Sequence, residues 1–220
     1  MSHNEIDVAL RYAAVMHQDH AAVARHAGHE AFGRGAVMQE IQNGNLEMND
    51  TTKHLLDEMI TVSDNDAANA LTTYLGGGDS AAGMQAVNSF CQAHGYDQTH
   101  MGRMLLASNE NDDNYTSVGD CGHLLQEIYK QDTSGYTHAT DMFNLLKAQT
   151  RCNKIPAQLP EGVKTANKTG ELDNVENDAG IIYDSKNDVV IVFMSQNLSS
   201  AGSAQNTIAT LSRTIYDYYN

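Results

Sequence analysis

The 220-residue sequence has no tryptophan, only two prolines and three cysteines, and no long apolar run. A membrane-spanning helix needs about 20 consecutive apolar residues, so we expect no membrane span. Cys91, Cys121 and Cys152 lie far apart and form no CxxC pair, which is typical of free or buried thiols rather than of a disulfide framework. A single Cys91–Cys121 bridge stays open as an alternative.

Basic residues are also scarce. The chain has 13 Lys and Arg against 28 Asp and Glu, a formal net charge of −15. Such a surface repels nucleic acid and anionic lipid, and no basic patch interrupts it. We therefore expect neither nucleic acid nor a membrane as a partner, and we interpret the acidity as serving solubility or salt tolerance.

The first residues, Met1–Glu5, are polar and lack the charged-then-apolar pattern of a signal peptide. We interpret the chain either as cytoplasmic or as a mature form from which an export signal has been removed. With 41% apolar residues, it is long enough for one large domain or two closely packed lobes.

Local sequence patterns predict different secondary structure in successive parts of the chain. Residues 6–15 and 21–25 are interpreted as two paired strands turning at 17–20, although their alanine content also suits helix. A helix is predicted over 31–42, ending at Asn43-Gly44. The block from about 50 to 150 has mostly helical spacing of its apolar residues.

The C-terminal part of the chain, from about residue 162, is predicted to form strands and a final helix. Residues 162–168 lead into a loop at 169–177, and a β-hairpin follows, with strands 179–183 and 189–195 joined by a turn at 184–188. The segment 204–219 is predicted to be a helix with Ile208, Leu211, Ile215 and Tyr218 on one face. This order favours an α/β sheet lobe with an all-α lobe inserted into it.

Two tripeptides carry the chemical signal. Ser63-Asp64-Asn65 stands between two helical segments, and Lys168-Thr169-Gly170 ends a strand-like segment just before the hairpin. Either tripeptide alone is weak evidence. In this order, roughly 100 residues apart and in these contexts, the two are far more specific.

These motifs resemble those of class A β-lactamases and related penicillin-binding proteins. The likeness covers Ile60–Asn69, Asn167–Glu171, Asn177–Tyr183 and Leu211–Tyr216, and extends from about Ala36 to the C-terminus. It implies one β-lactamase-like α/β (α+β) domain over 1–220, with an antiparallel sheet and its packing helices in one lobe. That sheet lobe would comprise about 1–26 and 160–220, and the all-α lobe about 27–159.

The resemblance also implies roles in acyl transfer, in which a serine attacks an amide or lactam carbonyl. Ser63 would relay a proton to the leaving nitrogen, and Lys168 would supply positive potential. The implied substrate-binding positions are Asn65, Thr169, Gly170 and Glu171, the last through its backbone N–H. A different interpretation of Ser63 is a helix cap.

The Ser-x-x-Lys motif of this family is missing. Counting back from Ala36-Val37-Met38 puts Ala27 at the position of the nucleophilic serine and Glu30 at that of the lysine base. Alanine has no nucleophile and glutamate reverses the charge, so the sequence does not support ordinary serine acylation. Glu110 is weighed as a deacylation base, but a solvated loop acid suits its surroundings better.

Histidines cluster at the same place. His26, His29 and Glu30 can present two imidazoles and a carboxylate on one helical face to a divalent metal. His17 and His20 repeat the spacing, and the region 1–36 holds five of the ten histidines and nine alanines but no Lys, Thr or Pro. This composition suggests remodelling by engineering or divergence.

Three hypotheses follow. The first is a β-lactamase-like scaffold, inactive or weakly active, that recognises β-lactams or peptidoglycan-type peptides without a cofactor. The second is a remodelled or engineered scaffold with a metal site at His26, His29 and Glu30, and the third is a purely structural scaffold. The resemblance further implies a monomer in an extracellular or periplasmic location.

Overall fold

The computed structural model describes residues 23–25, 29–130, 139–184 and 186–220, and the side chains of 23–25, 29, 139–141 and 143 lie outside this description. The predicted strand 6–15 and the turn at 17–20 therefore lie outside the described residues. The elements in chain order are β1 (Val23–Arg25), α1 (His29–Gln42), α2 (Asp50–Thr61), α3 (Asn65–Leu75), α4 (Ser80–Ala93), β2 (Tyr115–Ser117), α5 (Val118–Lys130), α6 (Ala139–Lys147), a 3₁₀ turn (Ile155–Gln158), β3 (Lys164–Leu172), β4 (Val175–Tyr183), β5 (Val189–Phe193) and α7 (Ala201–Tyr219).

The main sheet is antiparallel, with strand order β3-β4-β5. Neighbouring residues along β4 and β5 enter different cores: Ile181 and Val190 join the core shared with the helical lobe, while Ile182 and Ile191 join a smaller core that also contains Ile208 of α7. This alternation follows from the two-residue period of a strand. The sheet is thus covered by the helical lobe on one face and by α7 on the other.

Most predicted elements are confirmed. The hairpin of β4 and β5 and the helix ending before Asn43-Gly44 are present, and Gly44 has a φ of 77°, which favours glycine at a helix end. In α7, Ile208 is buried, but Tyr218 is 76% exposed, so its predicted place on the packed face is wrong. The ring of Tyr216 packs against that core instead.

The predicted loop at 169–177 is wrong. β3 runs on to Leu172 and β4 starts at Val175, with Glu171 opposite Glu176 across the ladder. Only Asp173 and Asn174 remain for the turn, and two-residue turns are the commonest connection between antiparallel strands. The polar composition of 169–177 suggested a loop, but backbone pairing between β3 and β4 makes most of this segment part of two strands.

The described part of the predicted segment 21–25 is a strand. Val23–Arg25 pairs antiparallel with Tyr115–Ser117, and among the described residues these two strands form a two-stranded sheet. Thr116 and Ser117 of β2 are buried. The predicted pairing of 21–25 with 6–15 stays a prediction, because 6–15 lies outside the described residues.

Cys91 and Cys121 are buried free thiols, and Cys152 is an exposed one. Burial raises the pKa of Cys91 and that of Cys121 to about 12, so both stay protonated at neutral pH. No helix among the described residues is long and apolar enough to span a bilayer.

A buried lysine holds the β3–β4 hairpin. The Lys154 side chain is fully buried, and its ammonium lies 2.9 Å from Glu171 Oε1 and 2.7 Å from Glu176 Oε2. It also donates to the Asn177 carbonyl oxygen at 3.0 Å. Because a buried charge is tolerated only when it is paired, Lys154 ties the segment before β3 to both strands of the hairpin.

Replacing Lys154 by Met should leave the buried Glu176 carboxylate without its counter-charge. We expect this to lower the free energy of unfolding by about 3–5 kcal/mol. Urea denaturation followed by circular dichroism measures this loss. The matched control is Lys53→Met on the exposed face of α2, which should change stability by less than about 0.5 kcal/mol. Equal effects of the two substitutions would contradict this role of Lys154.

Candidate active site

The predicted motif residues meet where the helical lobe faces the sheet. Glu30 lies in the first turn of α1, Ser63 between α2 and α3, and Lys168 in the middle of β3. The side chains of Glu30 and Lys168 are 12% and 3% exposed. The structure therefore brings together three residues that are far apart in the chain.

Their polar atoms form a closed triangle. Lys168 Nζ lies 2.6 Å from Ser63 Oγ and 3.1 Å from Glu30 Oε1, and Ser63 Oγ donates to the same Glu30 oxygen at 2.9 Å. Lys168 Nζ also donates to the Thr169 carbonyl oxygen at 2.7 Å. The hydroxyl of Ser63 thus accepts from an ammonium and donates to a carboxylate.

Local backbone structure presents Ser63 to this triangle. Ser63 has a φ of 59°, a left-handed conformation that is uncommon outside glycine. The cap of α3 is Asp64, whose side chain accepts from the Ala67 N–H at 2.7 Å. The helix-cap interpretation of Ser63 is therefore wrong, because its neighbour performs that role and leaves the Ser63 hydroxyl for the site.

Glu30 is ionised at neutral pH. Burial alone would raise the pKa of its carboxyl group, but the Lys168 ammonium, together with hydrogen bonds that include those from Lys168 and Ser63, holds this pKa below its usual value of 4.5. The negative end of the pair also lies in the first turn of α1, where the helix dipole favours an anion.

A second carboxyl group behaves in the opposite way. Burial raises the pKa of Asp178, on β4 opposite Thr169, to about 7. Its oxygens accept from the Ile155 N–H at 3.0 Å and the Asn167 amide at 3.1 Å. Sequence analysis included Asp178 in the stretch Asn177–Tyr183 that resembles the family but assigned it no role, because burial of a carboxyl group by distant segments leaves no local pattern.

A cleft of about 620 Å³ opens beside the triangle, a size typical of small-molecule sites. Glu30, Ser63 and Asn65 line it on the side of the helical lobe, and 169–174 of the β3–β4 hairpin line it on the other. The loop 103–109 closes a third side. Within the part of the chain that the structure describes, β3 is an edge strand of the main sheet, and its outer backbone groups are not used by another strand of that sheet.

All four predicted substrate-binding positions, Asn65, Thr169, Gly170 and Glu171, line the cleft. Glu110 does not: it is an exposed residue, and its backbone N–H bonds Ser108 within the same loop. Glu171 is only partly free, because its carboxylate pairs with Arg151 at 3.1 Å and Lys154 at 2.9 Å.

The sequence analysis missed two cleft cations. Arg103 pairs with Asp113 at 2.9 Å and donates to the Ala107 carbonyl oxygen at 2.9 Å, which fixes the loop beside the cleft. Arg151 donates to Glu171 and to the Val62 carbonyl oxygen. The scarcity of basic residues was the one signal that could have drawn attention to them.

The proposed metal ligands His26 and His29 have no described side chains. Within the described ranges, no group of three or more His, Cys, Asp or Glu side chains is arranged to hold an ion. Glu30, the third member of the proposed set, is already engaged by Lys168 and Ser63. Ala27, the position of the missing serine, also lies outside the described residues.

Comparison with known proteins identifies the family. A model of the beta-lactamase enzyme family matches residues 33–219. The chain belongs to this family. The match includes Ser63 and Lys168 but begins beyond Ala27 and Glu30, so the predicted departure from the family pattern at these two positions stays a prediction.

Solved structures agree on the β-lactamase-like fold. A β-lactamase from Sphaerobacter thermophilus is 20% identical, with a TM-score of 0.78 over 89% of this chain and 83% of that one. An ancestral class A β-lactamase of Gram-negative bacteria is 19% identical, with a TM-score of 0.75 over 90% and 86%.

A variant of PBP-A, solved as an acyl-enzyme complex with penicillin G, is 20% identical, with a TM-score of 0.73 over 86% and 78%. The comparison with curated protein sequences finds no match.

Replacing Glu30 by Gln should lower the free energy of unfolding at pH 7 by about 3 kcal/mol, because it leaves the buried Lys168 ammonium without its counter-charge. Since the folded pKa of Glu30 is depressed, its contribution is complete above pH 4.5 and is lost as the pH falls below that value. The stability difference between the wild type and Glu30→Gln should therefore shrink in acid. Denaturant titrations across pH measure it.

The control is Glu110→Gln, an exposed carboxylate in the loop beside the cleft, whose effect should stay near zero at every pH. If the free energy of unfolding of the wild type exceeded that of Glu30→Gln by the same amount at pH 3 as at pH 7, the ion pair would be contradicted.

Proposed function

We propose that this member of the β-lactamase family is a recognition scaffold that binds β-lactams or peptidoglycan-type peptides without forming a covalent intermediate. In this proposal Ala27 and Glu30 occupy the positions of nucleophile and base and leave the chain inactive or weakly active. The observation that carries it is the triangle of Glu30, Ser63 and Lys168 at the end of an open cleft.

The triangle argues against proton transfer during acylation. A relay serine must deliver a proton to the leaving nitrogen, but the Ser63 proton points at an ionised carboxylate whose pKa is depressed. Glu30 is then a weak base, and the Lys168 Nζ already donates to Glu30, Ser63 and the Thr169 carbonyl oxygen. Each group is stabilised in the state that is wrong for the reaction.

The cleft still offers recognition groups. The Asn65 amide and the edge strand β3 line it, and an extended peptide can add to such an edge through backbone hydrogen bonds. The PBP-A variant, which has a similar fold, was solved as an acyl-enzyme complex with penicillin G. We further propose, from the family resemblance, that the chain acts as a monomer in the extracellular or periplasmic space.

Incubation with excess benzylpenicillin should leave the intact mass of the protein unchanged, while amide NMR shows saturable, reversible shifts at residues lining the cleft. Asn65→Ala should weaken this binding severalfold, since a buried polar contact contributes about 1 kcal/mol. Asn111→Ala, an exposed residue of the following loop segment that does not line the cleft, is the control. A stable adduct with the mass of the penicillin would overturn the proposal.

Restoring the missing pair should restore the reaction. The double variant Ala27→Ser with Glu30→Lys is expected to form a benzylpenicillin adduct detectable by mass spectrometry, because it supplies both a nucleophile and an amine base. Ala27→Ser alone, which keeps Glu30, should form none or far less. Equal acylation of the single and double variants would show that Glu30 is not what blocks the base function.

A further inference from the structure

The ammonium of Lys168 has no hydrogen left for a ligand. It carries three N–H donors and has three acceptors in place: Ser63 Oγ, Glu30 Oε1 and the Thr169 carbonyl oxygen, at 2.6 to 3.1 Å. Its side chain is 3% exposed and its charge is balanced by Glu30. A ligand carboxylate arriving beside it would gain little attraction and would have to displace an existing partner.

The other cations at the cleft are also paired. Arg151 is held by Glu171 at 3.1 Å, and Arg103 by Asp113 at 2.9 Å. The fully buried Lys154 behind β3 is shared between Glu171 and Glu176. The four cations named here, Lys168, Arg151, Arg103 and Lys154, therefore each have a carboxylate partner among the described residues.

Acidic side chains outnumber basic ones along the cleft wall. Glu30, Glu171 and Asp173 line it, against Arg103 and Arg151. The whole chain adds a formal net charge of −15, which repels anions at long range. An anionic ligand is thus repelled by negative electrostatic potential, both as it approaches the protein and when it reaches the cleft.

We propose that this cleft selects ligands that carry an uncharged amide or an ammonium group next to Glu30, and disfavours ligands that carry a carboxylate there. Glu30 determines this selection in two ways. It neutralises Lys168, and its carboxylate, with lone pairs beyond the two bonds it accepts at Oε1, can receive a further N–H from the ligand. The inference rests on the proposed function, because it concerns which ligands the same cleft binds.

The test compares benzylpenicillin with its neutral carboxamide, which has the same shape, by calorimetry on the wild-type protein at low ionic strength. The carboxamide should bind about tenfold more tightly, which corresponds to about 1.4 kcal/mol, because a like charge at the site opposes binding of the carboxylate. Added salt should reduce the difference by screening the repulsion.

The outcomes separate the two proposals. Binding of both ligands with the carboxylate equal or tighter would overturn the charge selection and leave the recognition function standing. Binding of neither ligand would overturn the recognition function and this inference with it.

Glu30→Gln gives the second readout. It frees Lys168 from its counter-charge, so the preference for the carboxamide should vanish or reverse, whereas Glu110→Gln should keep the wild-type ratio. An unchanged ratio in folded Glu30→Gln, checked by circular dichroism, would show that Glu30 does not set the selection. If that variant does not fold, the ligand pair on the wild type decides the proposal.

Discussion

The ion pair between Glu30 and Lys168 is the interaction on which the site depends. It joins the first turn of α1 to the middle of β3, and so the helical lobe to the sheet, through side chains that are almost fully buried. A buried pair of this kind is strongly destabilised when one partner is removed, because the other charge remains without compensation. The same pair fixes the Ser63 hydroxyl and sets the charge at the end of the cleft.

Glu30 therefore determines several properties together. Its carboxylate forms a neutral pair with Lys168. Lys168 acts as a structural donor to Ser63 and Thr169. The hairpin of β3 and β4, held by Lys154, keeps the cleft wall in place independently of this pair.

Much of the fold and the site followed from the sequence, because the signals were local. The two tripeptides, the apolar runs of β4 and β5 and the spacing in α7 each lie within a few residues. The structure brings Ser63, Asn65 and Thr169 to one cleft, with Lys168 bonded to Ser63 beside it. The continuation of β3 to Leu172 was missed because polar residues can pair as strands when the partner strand is adjacent.

The partners of charged groups could not be predicted. Glu30 and Lys168 are 138 residues apart, and the sequence analysis assigned Glu30 to a lost base or a metal ligand, not to an ion pair. Burial of Lys154 and the raised pKa of Asp178 likewise arise only when three segments of the chain meet.

An NMR titration of the Glu30 side-chain carboxyl carbon, assigned by its loss in Glu30→Gln, tests whether Glu30 is an ionised partner of Lys168. Because the Lys168 ammonium stabilises the carboxylate, we expect a midpoint below 4.5, the ordinary value for glutamate. A midpoint at or above 4.5 would contradict it, since burial without an effective counter-charge raises the pKa of a carboxyl group.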